Sequence, residues 1–275
     1  MLDRALELKA GRDRGVGGDS LAGRTVALYF ERPSTRTRVS FGVGVAELGA
    51  HPLALRADEL QLGRGESVGD TARILSRYLH AIVIRSASHD TVEELAAAAA
   101  VPVVNGLTPR HHPCQALADL LTLRERFGEL EGVRVAYVGD GNNVARSLAI
   151  LGRVAGVEVR VATPEGYELE PGVAAIDTHD PAEAAAGADA LYTDVWVSMG
   201  DEADAERRRA DLDPYRLDED LLAAASDRAI ALHCLPAHPG EEITEGVLYG
   251  DRSAVWDQAE NRLHAQKALL ELLVG

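Results

Sequence analysis

The run Glu31-Arg32-Pro33-Ser34-Thr35-Arg36-Thr37-Arg38 alternates hydroxyls with guanidinium groups in an otherwise acidic chain. It follows an apolar run, TVALYF at 25–30, and precedes a helical pattern. Hydroxyls, guanidinium forks and the free N–H groups of a helix start together form an anion site, with phosphate or a phosphate ester as the natural guest. The plainer alternative is one capping Ser or Thr with arginines facing solvent, but a cap needs one hydroxyl and not an alternating run. His112-Pro113-Cys114-Gln115 opens another helix. Pro113 suits the first helical position, which puts His112 at the cap and Gln115 one turn later. A neutral histidine there can donate to a carbonyl oxygen, since the positive end of a helix favours the neutral form; equally, it can simply cap. His111 has no comparable argument and is expected to be exposed.

Other segments fall where strands should end. Gly139-Asp140-Gly141-Asn142-Asn143 follows VRVAYV and invites a dinucleotide reading. The third glycine of that pattern falls on Val144, and the next strand ends in Thr163-Pro164 instead of a ribose-binding acid, so NAD is disfavoured. The loop still stands where open α/β sheets bind ligands, and Asn143 can read a polar small molecule. Asp194-Val195-Trp196-Val197-Ser198-Met199-Gly200 ends ALYTDVW, and His233-Cys234-Leu235-Pro236 ends AIALHCLP. An acid and a thiol placed there could meet a substrate cation. For Cys234 the alternative is a buried small residue, and without an identified base it is no evidence of a covalent nucleophile. The two cysteines and nine histidines show no metal-ligand spacing, so no metal is expected.

These segments need a frame that brings strand ends together. Strands are predicted at 25–30, 51–56, 81–85 and 101–106, alternating with helices at 39–50, 67–79 and 91–100. A long helix follows over 113–127, and the pattern then restarts with strands at 133–140, 157–164, 190–196 and 229–236. Helices are expected from 143 to about 155 and over 180–188, 217–225 and 259–275. The fold class is α/β: two domains of similar size, each a parallel sheet flanked by helices, with the C-terminal helix returning to the first domain. The expected bounds are 1–120 together with 259–275, and 130–255. The Gly-rich 11–23 reads as loop, and the densely charged 201–213 as a solvated loop or an exposed helix.

Composition narrows the class. The chain has 275 residues, with 28 basic against 44 acidic side chains and a net charge of −16, which argues against a nucleic-acid partner. No apolar run is long enough for a membrane span, and the N-terminus is too charged for a secretory signal. Only two cysteines, at 114 and 234, make a reducing cytoplasm the expected compartment. Lys9 and Lys267 are the only lysines. Arginine in place of lysine with an acidic excess has two readings: a GC-rich genome, or a salt-rich, halophilic cytoplasm in which dense carboxylates keep a protein hydrated.

The motifs Ser34–Arg38, His112–Gln115, Asp194–Gly200 and His233–Pro236 stand in the order seen in carbamoyltransferases. The chain resembles the ornithine branch of the aspartate/ornithine carbamoyltransferase family over nearly its whole length, including GDGNN and Glu260-Asn261-Arg262. The first two motifs are common to both branches; Ser-Met-Gly and His-Cys-Leu-Pro point to ornithine. The resemblance implies transfer of the carbamoyl group from carbamoyl phosphate to the δ-amine of L-ornithine, giving L-citrulline and phosphate within arginine metabolism. Another amine, such as aspartate or putrescine, is the alternative acceptor. It implies no cofactor. Ser34, Thr35, Arg36 and Thr37 would hold the phosphate, Arg85 would bridge phosphate and carbonyl oxygen, His112 and Gln115 would contact the carbamoyl group, and Arg262 would bind the same ligand. Asn143, Asp194, Ser198 and Met199 would hold ornithine, with Cys234 and the Leu235 backbone beside the reacting atoms. Gln61 resembles a residue lent by a neighbouring subunit, which implies a homotrimer with sites at subunit interfaces, or a higher assembly of trimers. Domain closure would exclude water. The family also has a longer N-terminus, with a complete helix ahead of LELKAGRDRG.

Overall fold

The apolar runs at 25–30 and 81–85 have no polar face, so both faces need cover, and a parallel sheet between helices supplies it. The structure is a computed structural model that describes residues 1–32, 34–56, 58, 65–198 and 202–275; Gln61, Met199 and Gly200 lie outside the described residues. The chain divides into two units, Met1–Cys114 with Asn261–Gly275, and Gln115–Glu260.

The first unit contains α1 (Leu2–Ala10), β1 (Thr25–Phe30), α2 (Thr35–Glu47), β2 (His51–Arg56), α3 (Val68–Leu75), β3 (Ala81–Arg85), α4 (His89–Ala98) and β4 (Val103–Leu107), and it ends at the start of α5 (Pro113–Phe127). Its strands form one parallel sheet in the order β2-β1-β3-β4. The central strands β1 and β3 are buried, whereas the edge strand β2 is largely exposed. The chain leaves β1 towards one edge and returns to β3 on the other side, so the strand order reverses between β1 and β3. Open sheets bind ligands at the carboxyl ends of strands at such a reversal. The register pairs Phe30 with Arg85, so the Glu31–Arg38 turn starts beside Arg85. Glu31 ties the two strand ends together. Its N–H donates to the Arg85 carbonyl at 3.1 Å, and its Oε2 accepts from Ser86 Oγ and the Ala87 N–H, each at 2.8 Å.

The second unit contains β5 (Arg134–Val138), α6 (Asn143–Val154), β6 (Glu158–Ala162), β7 (Ile176–Thr178), α7 (Pro181–Ala185), β8 (Ala190–Thr193), α8 (Ala205–Leu212), α9 (Glu219–Ala224), β9 (Ile230–His233), α10 (Glu245–Leu248) and the start of α11 (Val255–Val274). Its sheet is parallel in the order β7-β6-β5-β8-β9, and the reversal lies between β5 and β8. Ala136, Val138, Leu191 and Ala231 of the sheet pack with Leu217, Leu222 and Val247 in one core.

The end of α11 belongs to the first unit, as expected. It lies close against α2: a Cβ on Gly44 would stand 3.2 Å from Lys267 Cγ and 3.3 Å from Leu263 Cδ1, so a larger residue there would push these side chains aside. Both lysines serve this helix. Buried Lys267 donates to Glu47 Oε2 at 2.8 Å, and Lys9 donates to Asn261 Oδ1 at 2.8 Å.

Some element bounds differ from expectation for definite reasons. Helix α2 starts at Thr35 and not at 39, so Arg36, Thr37 and Arg38 are helical. Strands β8 and β9 stop at Thr193 and His233; Trp196 is buried outside the ladder, where apolar pattern alone reads as more strand. Strand β7 was not expected, because its residues are mostly exposed and carry no apolar alternation. The charged 201–213 segment contains α8, whose Arg208 side chain turns inward: its Nε donates to the Trp196 carbonyl at 2.7 Å and its Nη2 pairs with Asp140.

Candidate active site

In the first unit, the alternating hydroxyl run resolves into specific pairings. Ser34 is the N-cap residue of α2, yet its side chain caps no helix N–H. Its hydroxyl instead accepts from Arg85 Nη1 at 2.8 Å. Ser34 therefore does not act as a plain cap here. Thr37 is buried, and its Oγ1 accepts from Arg262 Nη2 at 2.8 Å. The Arg262 side chain comes from α11, so the close α2–α11 contact sets this pairing. Arg262 Nη1 approaches His112 Nε2 at 3.4 Å. A guanidinium can only donate, so Nε2 is the acceptor and the proton of the neutral ring lies on Nδ1. Burial, then the charges of Arg262, Arg85 and Arg36, hold the His112 pKa well below the usual histidine value. Three cations therefore surround a neutral imidazole beside a helix start. That field suits an anion with a carbonyl group attached. Thr35 and Arg36 occupy the exposed first turn of α2. Arg38 is also exposed.

His111 is half-buried and not exposed, because its ring packs edge-on against His89 at 5.2 Å. Cys114 is buried, its thiol faces the Asn105 carbonyl at 3.5 Å, and burial pushes its pKa up to about 12. Such a thiol is a core residue and not a reactive one.

In the second unit, Asp194 follows β8 at the strand-order reversal. Its Oδ1 accepts from the Cys234 thiol and from the Val195 N–H, each at 2.8 Å, and its Oδ2 accepts from Asn142 Nδ2 at 2.8 Å. Asn142 also caps α6, with Oδ1 accepting from the Val144 and Ala145 N–H groups. One asparagine thus fixes both the helix start and the carboxylate. Glycine is required in this loop for its own reasons: Gly139 has φ of +129°, and a Cβ on Gly141 would stand 2.3 Å from the Tyr167 carbonyl oxygen. Leu235 adopts φ of +58°, a strained backbone for a branched side chain. Its N–H donates to His233 Nδ1 at 2.8 Å, and His233 Nε2 faces Glu242 Oε1 at 3.1 Å. Asn143 is the first residue of α6 and half-buried, and Ser198 is half-buried after β8. Gln115, fully buried in the first turn of α5, donates from Nε2 to Asp119 Oδ1 at 2.9 Å.

The structure therefore joins Ser34, Thr37, Arg85, His112 and Arg262 in one unit, and Asp194 with Cys234 in the other. Sequence reading passed over Asn142 and Glu242. An asparagine directly before a helical pattern was a usable signal for the first; an acid in a polar loop offered none for the second. Among the described residues, two groups gather possible metal ligands, Asp194 with His233 and Cys234, and His238 with Glu241 and Glu242. In the first group both His233 ring nitrogens already face hydrogen-bond partners. In the second, Glu241 pairs with Arg209 at 3.0 Å. Both arrangements read as hydrogen-bonded networks.

Residues 1–125 match the family model of the carbamoyl-phosphate-binding domain of aspartate/ornithine carbamoyltransferase, and residues 131–273 match that of its aspartate/ornithine-binding domain. The chain is 56% identical to the ornithine carbamoyltransferase of a Parafrankia species over 288 aligned positions, covering all of this chain and 91% of the relative. The solved ornithine carbamoyltransferase of Pyrococcus furiosus, a protein named anabolic, superposes with a TM-score of 0.95 at 51% identity, covering 100% of this chain and 92% of that one. The Thermus thermophilus ornithine carbamoyltransferase superposes with a TM-score of 0.91 at 49% identity, covering 100% and 93%. With the matched domains spanning almost all of its length, the chain belongs to the aspartate/ornithine carbamoyltransferase family.

Proposed function

We propose that this chain is an ornithine carbamoyltransferase, transferring the carbamoyl group of carbamoyl phosphate to the δ-amine of L-ornithine to give L-citrulline and phosphate. The observation that carries the reading is the arginine cluster around neutral His112, with Arg85 on Ser34 and Arg262 on Thr37. Ornithine is preferred over aspartate or putrescine as acceptor because full-length relatives at about half identity are ornithine carbamoyltransferases. The thiol–carboxylate pair of Cys234 and Asp194 also suits a cationic amine.

The charges dictate the division of labour. Ser34, Thr35, Arg36 and Thr37 hold the phosphate through helix N–H groups, hydroxyls and a guanidinium fork. Arg85 and Arg262 bind the same dianion, and Gln115 accepts from the carbamoyl NH2. Asn143, Ser198 and Met199 hold the amino-acid end of ornithine. Asp194 and Cys234, with the Leu235 carbonyl, orient the δ-amine as it loses its proton. The amine nitrogen then attacks the carbamoyl carbon. The negative charge that develops on the carbonyl oxygen meets Arg85, Thr37 and the Nδ1–H of His112, which is electrostatic preorganisation without a covalent enzyme intermediate. The C–O bond to phosphate breaks, and the phosphate leaves with the second amine proton, the first having gone to solvent before attack. No cofactor takes part in this scheme.

Arginine synthesis in the cytoplasm fits the anabolic name of the Pyrococcus furiosus relative and two cysteines that are free thiols. The acidic excess fits a salt-rich cytoplasm. Gln61 lent between subunits makes the working form a homotrimer.

Citrulline formation from carbamoyl phosphate and ornithine tests the reading. Arg85→Ala should lose at least ~3 kcal/mol of transition-state stabilisation in kcat/KM, as for a lost oxyanion donor; unchanged turnover removes Arg85 from the site. Cys234→Ser should slow turnover without abolishing it, and a carbamoylated cysteine found by mass spectrometry would contradict a positioning role. Light scattering should give the mass of three chains for the active protein; a fully active monomer rules out a shared site.

A further inference from the structure

The core of the second unit holds a carboxylate to which the scheme above gives no task. Asp119 lies on α5, one turn after Gln115, and is fully buried. Its Oδ1 accepts from Gln115 Nε2 at 2.9 Å, from Gln258 Nε2 at 2.7 Å and from the Tyr192 hydroxyl at 3.3 Å. Burial, and then the Asp119 charge, push the Tyr192 phenol well up, so it stays a donor. Gln258 is also fully buried and has a second partner: its Oε1 accepts from the His233 N–H at 2.9 Å. His233 directly precedes Cys234.

We infer that Asp119 is a positioning residue for carbamoyl transfer, fixing the Gln115 carboxamide directly and the His233–Cys234 main chain through Gln258. The inference rests on the reading above, in which Gln115 and Cys234 meet substrate. A carboxamide has two nearly isosteric orientations that exchange its donor and acceptor ends. A carboxylate oxygen that accepts three hydrogen bonds offers no proton at that atom, so it selects the orientation with Nε2 towards Asp119. The Gln115 Oε1 is thereby turned away from Asp119, as an acceptor for the carbamoyl NH2 must be. Gln258 is polarised in the same way, with its donor end on Asp119 and its acceptor end on a main-chain N–H. A neutral side chain at 119 that could both donate and accept would allow either amide to flip. A buried network of this kind is stable only when each member is satisfied, so the acceptor oxygen at 119 sets the direction of every bond along it.

Steady-state kinetics of Asp119→Asn, Gln258→Met and Gln258→Glu, on protein with cooperative thermal unfolding, test the inference. Asp119→Asn should lower kcat by about thirtyfold or more and raise the KM for carbamoyl phosphate by about fivefold, as loss of an oriented contact does. Gln258→Met keeps the Asp119–Gln115 bond. Its KM for carbamoyl phosphate should stay within about twofold of wild type, while the KM for ornithine rises about fivefold or more and kcat falls. Gln258→Glu can restore the donor only when protonated, so its activity relative to wild type should rise about fivefold between about pH 8.5 and 6.5. A variant that merely loosened the core would not show that pH signature. If Asp119→Asn fails to fold, the two Gln258 variants decide. Wild-type kcat and KM values in the variants, or a fall in kcat with both KM values unchanged and no pH signature, overturn the inference. A wild-type protein that forms no citrulline overturns the proposed function and takes this inference with it, whereas an active wild type with indifferent variants overturns this inference alone.

Discussion

The organising constraint in this chain is the crowding of arginines at the carboxyl ends of β1 and β3. Arg85 and Arg262 are each hydrogen-bonded to a hydroxyl of the α2 segment, and, after burial itself, their charges and that of Arg36 oppose protonation of His112. Like charges placed together repel, and burial strengthens that repulsion. The arrangement would be relieved of that repulsion by an anion bound at those atoms. It also explains features remote from the chemistry. Gly44 lets α11, which brings Arg262 onto Thr37, pack close against α2. The two lysines anchor that same helix, one to Glu47 and one to Asn261.

The net charge of −16 takes on a different meaning beside this cluster. A phosphate ligand and an acidic protein are compatible when the basic groups are concentrated at one strand-order reversal and the acids are spread over the surface. Long-range attraction is sacrificed, since exposed charges are screened within about 10 Å at moderate salt. Short-range binding is not, since in the proposed scheme the guanidinium groups contact the ligand directly. The second unit uses the opposite local chemistry. Asp194 and Cys234, supported by Asn142, present an acid and a thiol where a cationic amine is expected.

Much of this was legible because certain residue types were out of place. Three arginines alternating with hydroxyls between a strand and a helix have few other uses, and Arg85 stood at the end of a buried strand. The parallel sheets followed from apolar runs without a polar face. The supporting residues were not legible. Asp119 and Gln258 sit in ordinary helical patterns, where a polar residue reads as a solvent-facing position. Glu242 lies in a polar loop yet is fully buried against His233. Arg208 was hidden in a run of exposed charge, although its guanidinium reaches the Trp196 carbonyl. Burial of a single polar side chain depends on what arrives from distant parts of the chain, and no local pattern encodes it. Edge strand β7 escaped for the complementary reason, being too exposed to carry an apolar signature.

The ring nitrogens of His112 report on the arginine cluster directly. Their 15N chemical shifts, followed by NMR in the ligand-free protein, should keep the values of a neutral ring with the proton on Nδ1 as pH falls through about 6.5, where an unperturbed histidine is half protonated. Because the folded-state pKa is lowered, the unfolded chain takes up the proton first, so His112 contributes less to stability as pH drops below that value. A His112 ring that titrates at or above about 6.5 would contradict a concentrated positive field, and with it the account of an anion site built from Arg36, Arg85 and Arg262.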